Sequence, residues 1–210
     1  MQWMTPVGRG FDSSFGFLGG SEDHFEHTTG GSLFGCPSRA VDLFRSNTSG
    51  AEWCVGNVGE PHCNGTHGAY LFNAETQSII SEHDVATPLF LYVATQDAHG
   101  CVMSTTCYLE TCVRWQLASW LTWPVLLRPD QITAKYSQLF NSSFTPAYGI
   151  YNGMVAAADD LYGNMTKKLR EKQMYERTII ILSADNGGPA SIYASSHAAN
   201  NWPLRGGKKT

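Results

Sequence analysis

The pattern from Tyr151 to Gly188 constrains this chain more than any other stretch. Tyr151, Met154, Val155, Ala158, Leu161, Tyr162, Met165 and Leu169 recur at three- and four-residue spacing. Side chains so spaced share one face of a helix. The run predicts an amphipathic helix of about five to six turns at 3.6 residues per turn. Lys167, Lys168, Arg170 and Lys172 crowd its end, where the negative pole of a helix favours cations. Thr178-Ile179-Ile180-Ile181-Leu182-Ser183 follows, a short apolar β-branched run that reads as a buried strand. Pro88 to Thr95 is a second run of this kind, and Ala69 to His83 before it has a helical pattern with Leu71, Phe72, Ile79 and Ile80 on its apolar side. Helix then strand, twice over, predicts an α/β protein with Leu89–Thr95 and Thr178–Ser183 in one mostly parallel sheet.

The chemistry-bearing residues sit just past those strands. Asp185-Asn186-Gly187-Gly188 comes directly after Thr178–Ser183, and open α/β sheets carry their sites beyond the carboxyl ends of strands. A carboxylate beside an amide carbonyl offers two hard oxygen ligands, suited to Ca²⁺ or Mg²⁺ rather than Zn²⁺. The paired glycines predict a sharp backbone turn next to the ion. The competing reading is a simple Asp-Asn-Gly turn, and the strand and turn alone favour it. His99 follows the other strand. Lys208 closes Asn201-Trp202-Pro203-Leu204-Arg205-Gly206-Gly207-Lys208. Each has its own plain reading, a satisfied surface histidine and an exposed lysine beside Lys209.

Composition excludes some classes. With 210 residues, 42% hydrophobic and 15% charged, the chain is too apolar and too weakly charged to be disordered, and long enough for one domain with a substantial core. A net charge of −4 and the lack of a basic cluster beyond Lys167 to Lys172 give no sign of a nucleic-acid partner. The N-terminal Met1-Gln2-Trp3-Met4-Thr5-Pro6 has neither the basic start nor the apolar core of a signal peptide. The apolar stretch Gln116 to Leu127 is too short to span a bilayer. Four N-x-Ser/Thr acceptors, at Asn47, Asn64, Asn141 and Asn164, point instead to the secretory pathway. Cys54 and Cys63 bracket a Gly/Pro/Asn-rich segment that suits a small disulfide loop, although pairing among six cysteines is not deducible from sequence.

Organisation along the chain is uneven. Residues 1–35 read as mostly loop, and 39–70 as an irregular excursion. The histidines His24 and His27 read as surface or structural rather than ligating. Residues 100–129 hold three cysteines, three tryptophans and one acidic residue without a clean period. They read as an atypical insertion or a non-homologous segment, and are expected to be the least ordered part.

Several blocks resemble the type I sulfatases, close to the arylsulfatase B-like branch. Gly8-Arg9-Gly10-Phe11-Asp12 with Phe15-Gly16-Phe17-Leu18-Gly19-Gly20 resembles their GRGFD…G element. Pro88-Leu89-Phe90-Leu91-Tyr92 running into His99 resembles their PFFLY…H strand. Tyr151-Asn152-Gly153-Met154-Val155 through Asp159-Asp160 resembles the helix before their SDNGG strand, and Asn201 to Lys208 resembles NWPLRGxK. Glu22-Asp23-His24-Phe25 to His27 is similar to their SEDYYxH segment. The blocks occur in family order and cover most of residues 1–210.

The resemblance implies an alkaline-phosphatase-like sulfatase fold, a mostly parallel sheet with helices on both faces, here incomplete at both ends. It implies a sulfuric ester hydrolase acting on an aryl sulfate or a sulfated glycan in a lysosomal, extracellular or periplasmic-like setting. Asp185 and Asn186 match metal ligands for Ca²⁺, with Mg²⁺ as the alternative; His99 and Lys208 match the residues that contact sulfate and the leaving group. The family's nucleophile is a formylglycine made from a Cys-x-Pro-x-Arg cysteine that precedes GRGFD. That signature, a Lys-x-x-His-type element and the two adjacent aspartates that complete the family's metal site near the N-terminus are not found before GRGFD in this sequence. Cys36-Pro37-Ser38-Arg39 lacks the residue between Cys and Pro and lies on the wrong side of GRGFD, so it reads as chance or a structural cysteine. Two other functions stay open: a non-catalytic relic that binds a cation or sulfated glycan, and a phosphatase or phosphodiesterase of the same superfamily. The latter sites use two metals and more His and Asp ligands, which the Asp185-Asn186 pair fits less well.

Overall fold

The structure is a computed structural model that describes residues 4–19, 24–25, 27–29, 40–54, 63, 65–98, 134–140, 146–188 and 201–207. Residues 100–129, and with them Cys36, lie outside the described residues. Among the described residues five short strands come first: β1 (Ser13–Phe17), β2 (Thr28–Thr29), β3 (Ala40–Val41), β4 (Leu43–Asn47) and β5 (Gly50–Trp53). Three α-helices follow: α1 (Gly68–Glu82), α2 (Ala134–Ser137) and α3 (Pro146–Glu171).

The N-terminal region is more regular than its Gly-rich sequence suggests. β4 pairs antiparallel with both β1 and β5, with Phe15 opposite Arg45 and Phe44 opposite Trp53. The Asn47 side chain builds the tight turn between β4 and β5, since its Oδ1 accepts from the Ser49 and Gly50 amides at 2.8 and 3.1 Å. An asparagine that replaces a backbone acceptor in this way fixes a hairpin from local chemistry alone. Within 1–35 the described residues include the strands β1 and β2, and the excursion at 39–70 contains a hairpin. Strand alternation is short here, only five residues in β1 and β4, and polar residues mask the period.

His24 and His27 are buried, which corrects the surface reading and keeps the structural one. His27 Nε2 lies 2.9 Å from both the Cys63 and Thr66 carbonyls, so it carries the proton and donates to both. Cys63 is disulfide-bonded to Cys54 with Cα atoms 5.9 Å apart, a normal span for such a bridge. His24 stacks on His67 at 5.2 Å between ring centroids. His67 in turn caps α1, its Nδ1 accepting from the Ala69 amide at 3.2 Å.

The two long helices match the sequence pattern closely. α1 begins one residue before the expected start, and α3 begins five before it and ends at Glu171. They pack side by side and run the same way. Ala69 near the start of α1 shares a core cluster with Met154 and Ala157 in the first half of α3. Ile80 near the end of α1 meets Leu169 near the end of α3. Lys172 Nζ also donates to the Ser81 carbonyl at 2.8 Å. β1 covers the other side of α1, where Phe15 and Phe17 each lie 5.7 Å from Phe72. A bidentate pair of Arg45 with Glu75 ties β4 to the same helix.

Each helix delivers the chain into an extended segment. After α1 the Asp84–Thr87 turn leads to 88–95, whose residues alternate between half-buried and exposed. Leu89 and Leu91 pack on the Ile80, Leu169 and Met174 cluster, while Phe90 and Tyr92 face solvent. After α3 the chain reverses at Gln173, in the left-handed region at φ 57°, and runs out through 178–183. Neither segment joins a strand ladder among the described residues, and the sheets that are described are antiparallel. The expectation that Leu89–Thr95 and Thr178–Ser183 share a mostly parallel sheet is therefore not met within these residues. Their apolar content predicts a strand, but a strand needs at least one hydrogen-bonded neighbour, and none is described beside them.

Candidate functional site

Thr178–Ser183 carries Asp185 and Asn186 out to an exposed bend. The Asn186 Nδ2 donates to the Gly187 carbonyl at 3.1 Å, which leaves Oδ1 as the oxygen suited to face a cation. One carboxylate and one amide oxygen on adjacent residues fit a hard divalent ion in chemistry, but supply only part of the six to eight oxygens that Ca²⁺ takes. No group of three or more His, Cys, Asp or Glu side chains able to hold a metal exists among the described residues.

The bend is locked against the segment that leads to Lys208. Gly188 N donates to Asn201 Oδ1 at 2.8 Å, and Asn201 Nδ2 donates back to the Gly188 carbonyl at 2.9 Å. One side-chain amide thus pairs with both backbone groups of one residue. Asn201 itself is fixed by a turn in which Leu204 N donates to its carbonyl at 2.8 Å. A Cβ placed on Gly187 would lie 2.9 Å from Asn201 Oδ1 and 3.1 Å from Gly207 Cα. Gly187 is a glycine because another backbone touches it. The positive-φ glycines among the described residues are Gly10, Gly65 and Gly206, so conformational freedom at the Gly187-Gly188 pair is not what the turn uses. Sequence reasoning passed over Asn201, because a lone asparagine at the start of a block carries no visible signal of a partner thirteen residues away.

His99 and Lys208 lie outside the described residues, as do Asn64 and Asn141. The residues that lead up to His99 and Lys208 are described. Gly207, next to Lys208, abuts Gly187. On the other side, Asp97 precedes His99 by two positions. Its Oδ2 is sealed from solvent without a hydrogen-bond partner, and burial pushes its pKa up from 3.8 to about 7. Ala98 follows at φ 68°, a strained value for a residue with a side chain. Asn47 is exposed at its hairpin turn, whereas Asn164 is half-buried in mid-helix on α3.

Comparison with known proteins agrees with this arrangement of blocks. The sulfatase family profile matches residues 2–210. The chain belongs to the sulfatase family, whose fold is α/β. Among individual relatives, mouse (Mus musculus) arylsulfatase J is 30% identical over 208 residues, which is 98% of this chain and 27% of the relative. The chain therefore spans only 27% of the length of that relative. No described helix is long and apolar enough to cross a membrane.

Proposed function

We propose that this chain is part of the catalytic domain of an arylsulfatase-like sulfuric ester hydrolase of the secretory pathway. The observation that carries the reading is the locked contact between the Asp185-Asn186 bend and the segment running into Lys208. It supports a site where a divalent cation and a lysine ammonium act on one sulfate group.

In this reading Asp185 and Asn186 contribute two oxygens to a Ca²⁺ or Mg²⁺ shell. When bound, the cation supplies Lewis acidity and a template for the sulfate oxygens. Lys208, a compact point charge, neutralises sulfate oxygens from the other side. His99 donates to sulfate or to the departing alcohol as general acid. The nucleophile is a formylglycine carried by the complete protein, as are the remaining cation ligands. The parallel course of α1 and α3, each feeding an extended apolar segment, supports a mostly parallel sheet completed by further strands.

The 210-residue chain alone is expected to turn over no aryl sulfate, because loss of a nucleophile costs many orders of magnitude. Metal-dependent release of an aryl alcohol by purified chain would overturn the assignment of the nucleophile to another segment. Cation binding tests the site itself. Calorimetric titration with Ca²⁺ should give binding that Asp185→Ala abolishes; equal affinity in the two proteins would remove Asp185 from the shell.

A further inference from the structure

We infer that Asn201 is a positioning residue, which clamps the cation-bearing bend to the sulfate-binding segment. The inference rests on the reading of Asp185 and Asn186 as cation ligands, but its geometry is independent of that reading. The bend is reached from α3 through an extended segment that is exposed over most of its length and has no ladder partner among the described residues. The described contacts that steer the bend toward 201–207 come from Asn201 and from the close approach at Gly187.

The chemistry explains why the residue is asparagine. A primary amide carries a donor and an acceptor side by side, and the N–H and C=O of the one residue facing it, Gly188, offer the complementary pair. Aspartate at this position can accept from the Gly188 amide but cannot donate to its carbonyl. Leucine has similar bulk and can do neither. The two bonds hold Gly188 in register, Gly187 then seats against Gly207, and the next residue along is Lys208. In the proposed site Asn201 would thereby set how closely the cation-bearing bend approaches the segment that leads to Lys208. A cation and a lysine that share one anion tolerate little error in spacing, since misplacement by about 1 Å can cost about 100-fold in rate.

The test is nuclear magnetic resonance on the full, isotopically labelled chain, using Mn²⁺ alone as a paramagnetic probe. In the unsubstituted protein, a cross-relaxation contact between the Gly187 and Gly207 α-protons is expected before metal is added. Mn²⁺ should then broaden Gly187, Gly188, Gly206 and Gly207 together. Asn201→Leu should erase the Gly187–Gly207 contact and spare Gly206 and Gly207 from broadening, while Gly187 and Gly188 still broaden. Asn201→Asp should restore the contact in part. Gly187→Ala, which leaves Asn201 intact, should separate the segments by a different route. Unchanged α1 and α3 signals report that each variant folds. Persistence of the Gly187–Gly207 contact in Asn201→Leu would overturn the clamp. A clamp lost as expected, with no Mn²⁺ effect on Gly187 and Gly188 even in the parent protein, would overturn the cation reading and with it the positioning role, leaving Asn201 a structural contact.

Discussion

At the scale of single residues, Asp97 and Gln173 both hold conformations or environments that cost free energy. With its pKa raised from 3.8 to about 7, Asp97 keeps a proton in the folded state across a window where the unfolded chain has released it. Folding takes up a proton there, so stability falls as pH rises through that window and stays lower above it. The usual carboxylate contribution has the opposite sign. Asp97→Asn should raise stability by about 2–3 kcal/mol at pH 8, a discounted value because one pKa unit is about 1.4 kcal/mol and the residue is only half-buried. At pH 4 the gain should vanish. Denaturant titrations of both proteins at the two pH values check this; an equal difference at both would remove burial of the charge as the cause. Gln173 sits at the left-handed position that ends α3, where the Met174 amide reaches back to the Leu169 carbonyl at 2.9 Å and the two side chains pack together. Glycine is the usual residue for this cap. Gln173→Gly is expected to stabilise by about 0.5–1 kcal/mol, since the left-handed penalty of about 1–2 kcal/mol exceeds the added chain entropy. The midpoint of thermal unfolding reads it.

At the scale of elements, α1 and α3 were legible and the strands were not. Leu161 and Met154 fall on the predicted stripe, and both are buried. A helical period repeated over many turns averages out local exceptions. Leu161→Ala should therefore cost about 2–5 kcal/mol, as for other fully buried leucines, measured by chemical denaturation. The strands β1 and β4 escaped notice because five residues give too few alternations, and Ser14, Ser46 and Arg45 interrupt them. Ser14 and Ser46 share a hydrogen bond of 2.7 Å across the ladder, and Arg45 reaches Glu75, so polar groups that look misplaced are paired. The Cys54–Cys63 loop was legible as a possibility and is formed. Replacing both cysteines by serine should cost about 2–3 kcal/mol, the loop-entropy value for a short ring. A larger loss would mean that His27, bonded to the Cys63 carbonyl, depends on the bridge as well. Of the candidate site, Asp185 and Asn186 are proposed from their residue types and their place after an apolar run. The side-chain clamp was not legible, because its geometry lies in a backbone pairing that composition does not encode.

At the scale of the whole molecule, the helix pair is covered by β1 on one side and by 88–95 at one end, while the outer apolar rows stay open. Phe90, Tyr92, Ile179, Ile181 and Leu182 are exposed, with Ile179 and Ile181 at 88% and 86%. Such rows on extended chain are prone to pair with another chain. Ile179→Lys with Ile181→Lys should lower self-association in sedimentation while leaving helical content unchanged. Segment 178–183 also has the shape in which a protease takes its substrate: extended, exposed and outside any strand ladder among the described residues. Brief treatment with a protease that cuts before large aliphatic residues is thus expected to open the chain at Ile179, Ile181 or Leu182. It should leave α1 and α3 joined as one resistant fragment and release the Asp185 bend together with the 201–207 segment.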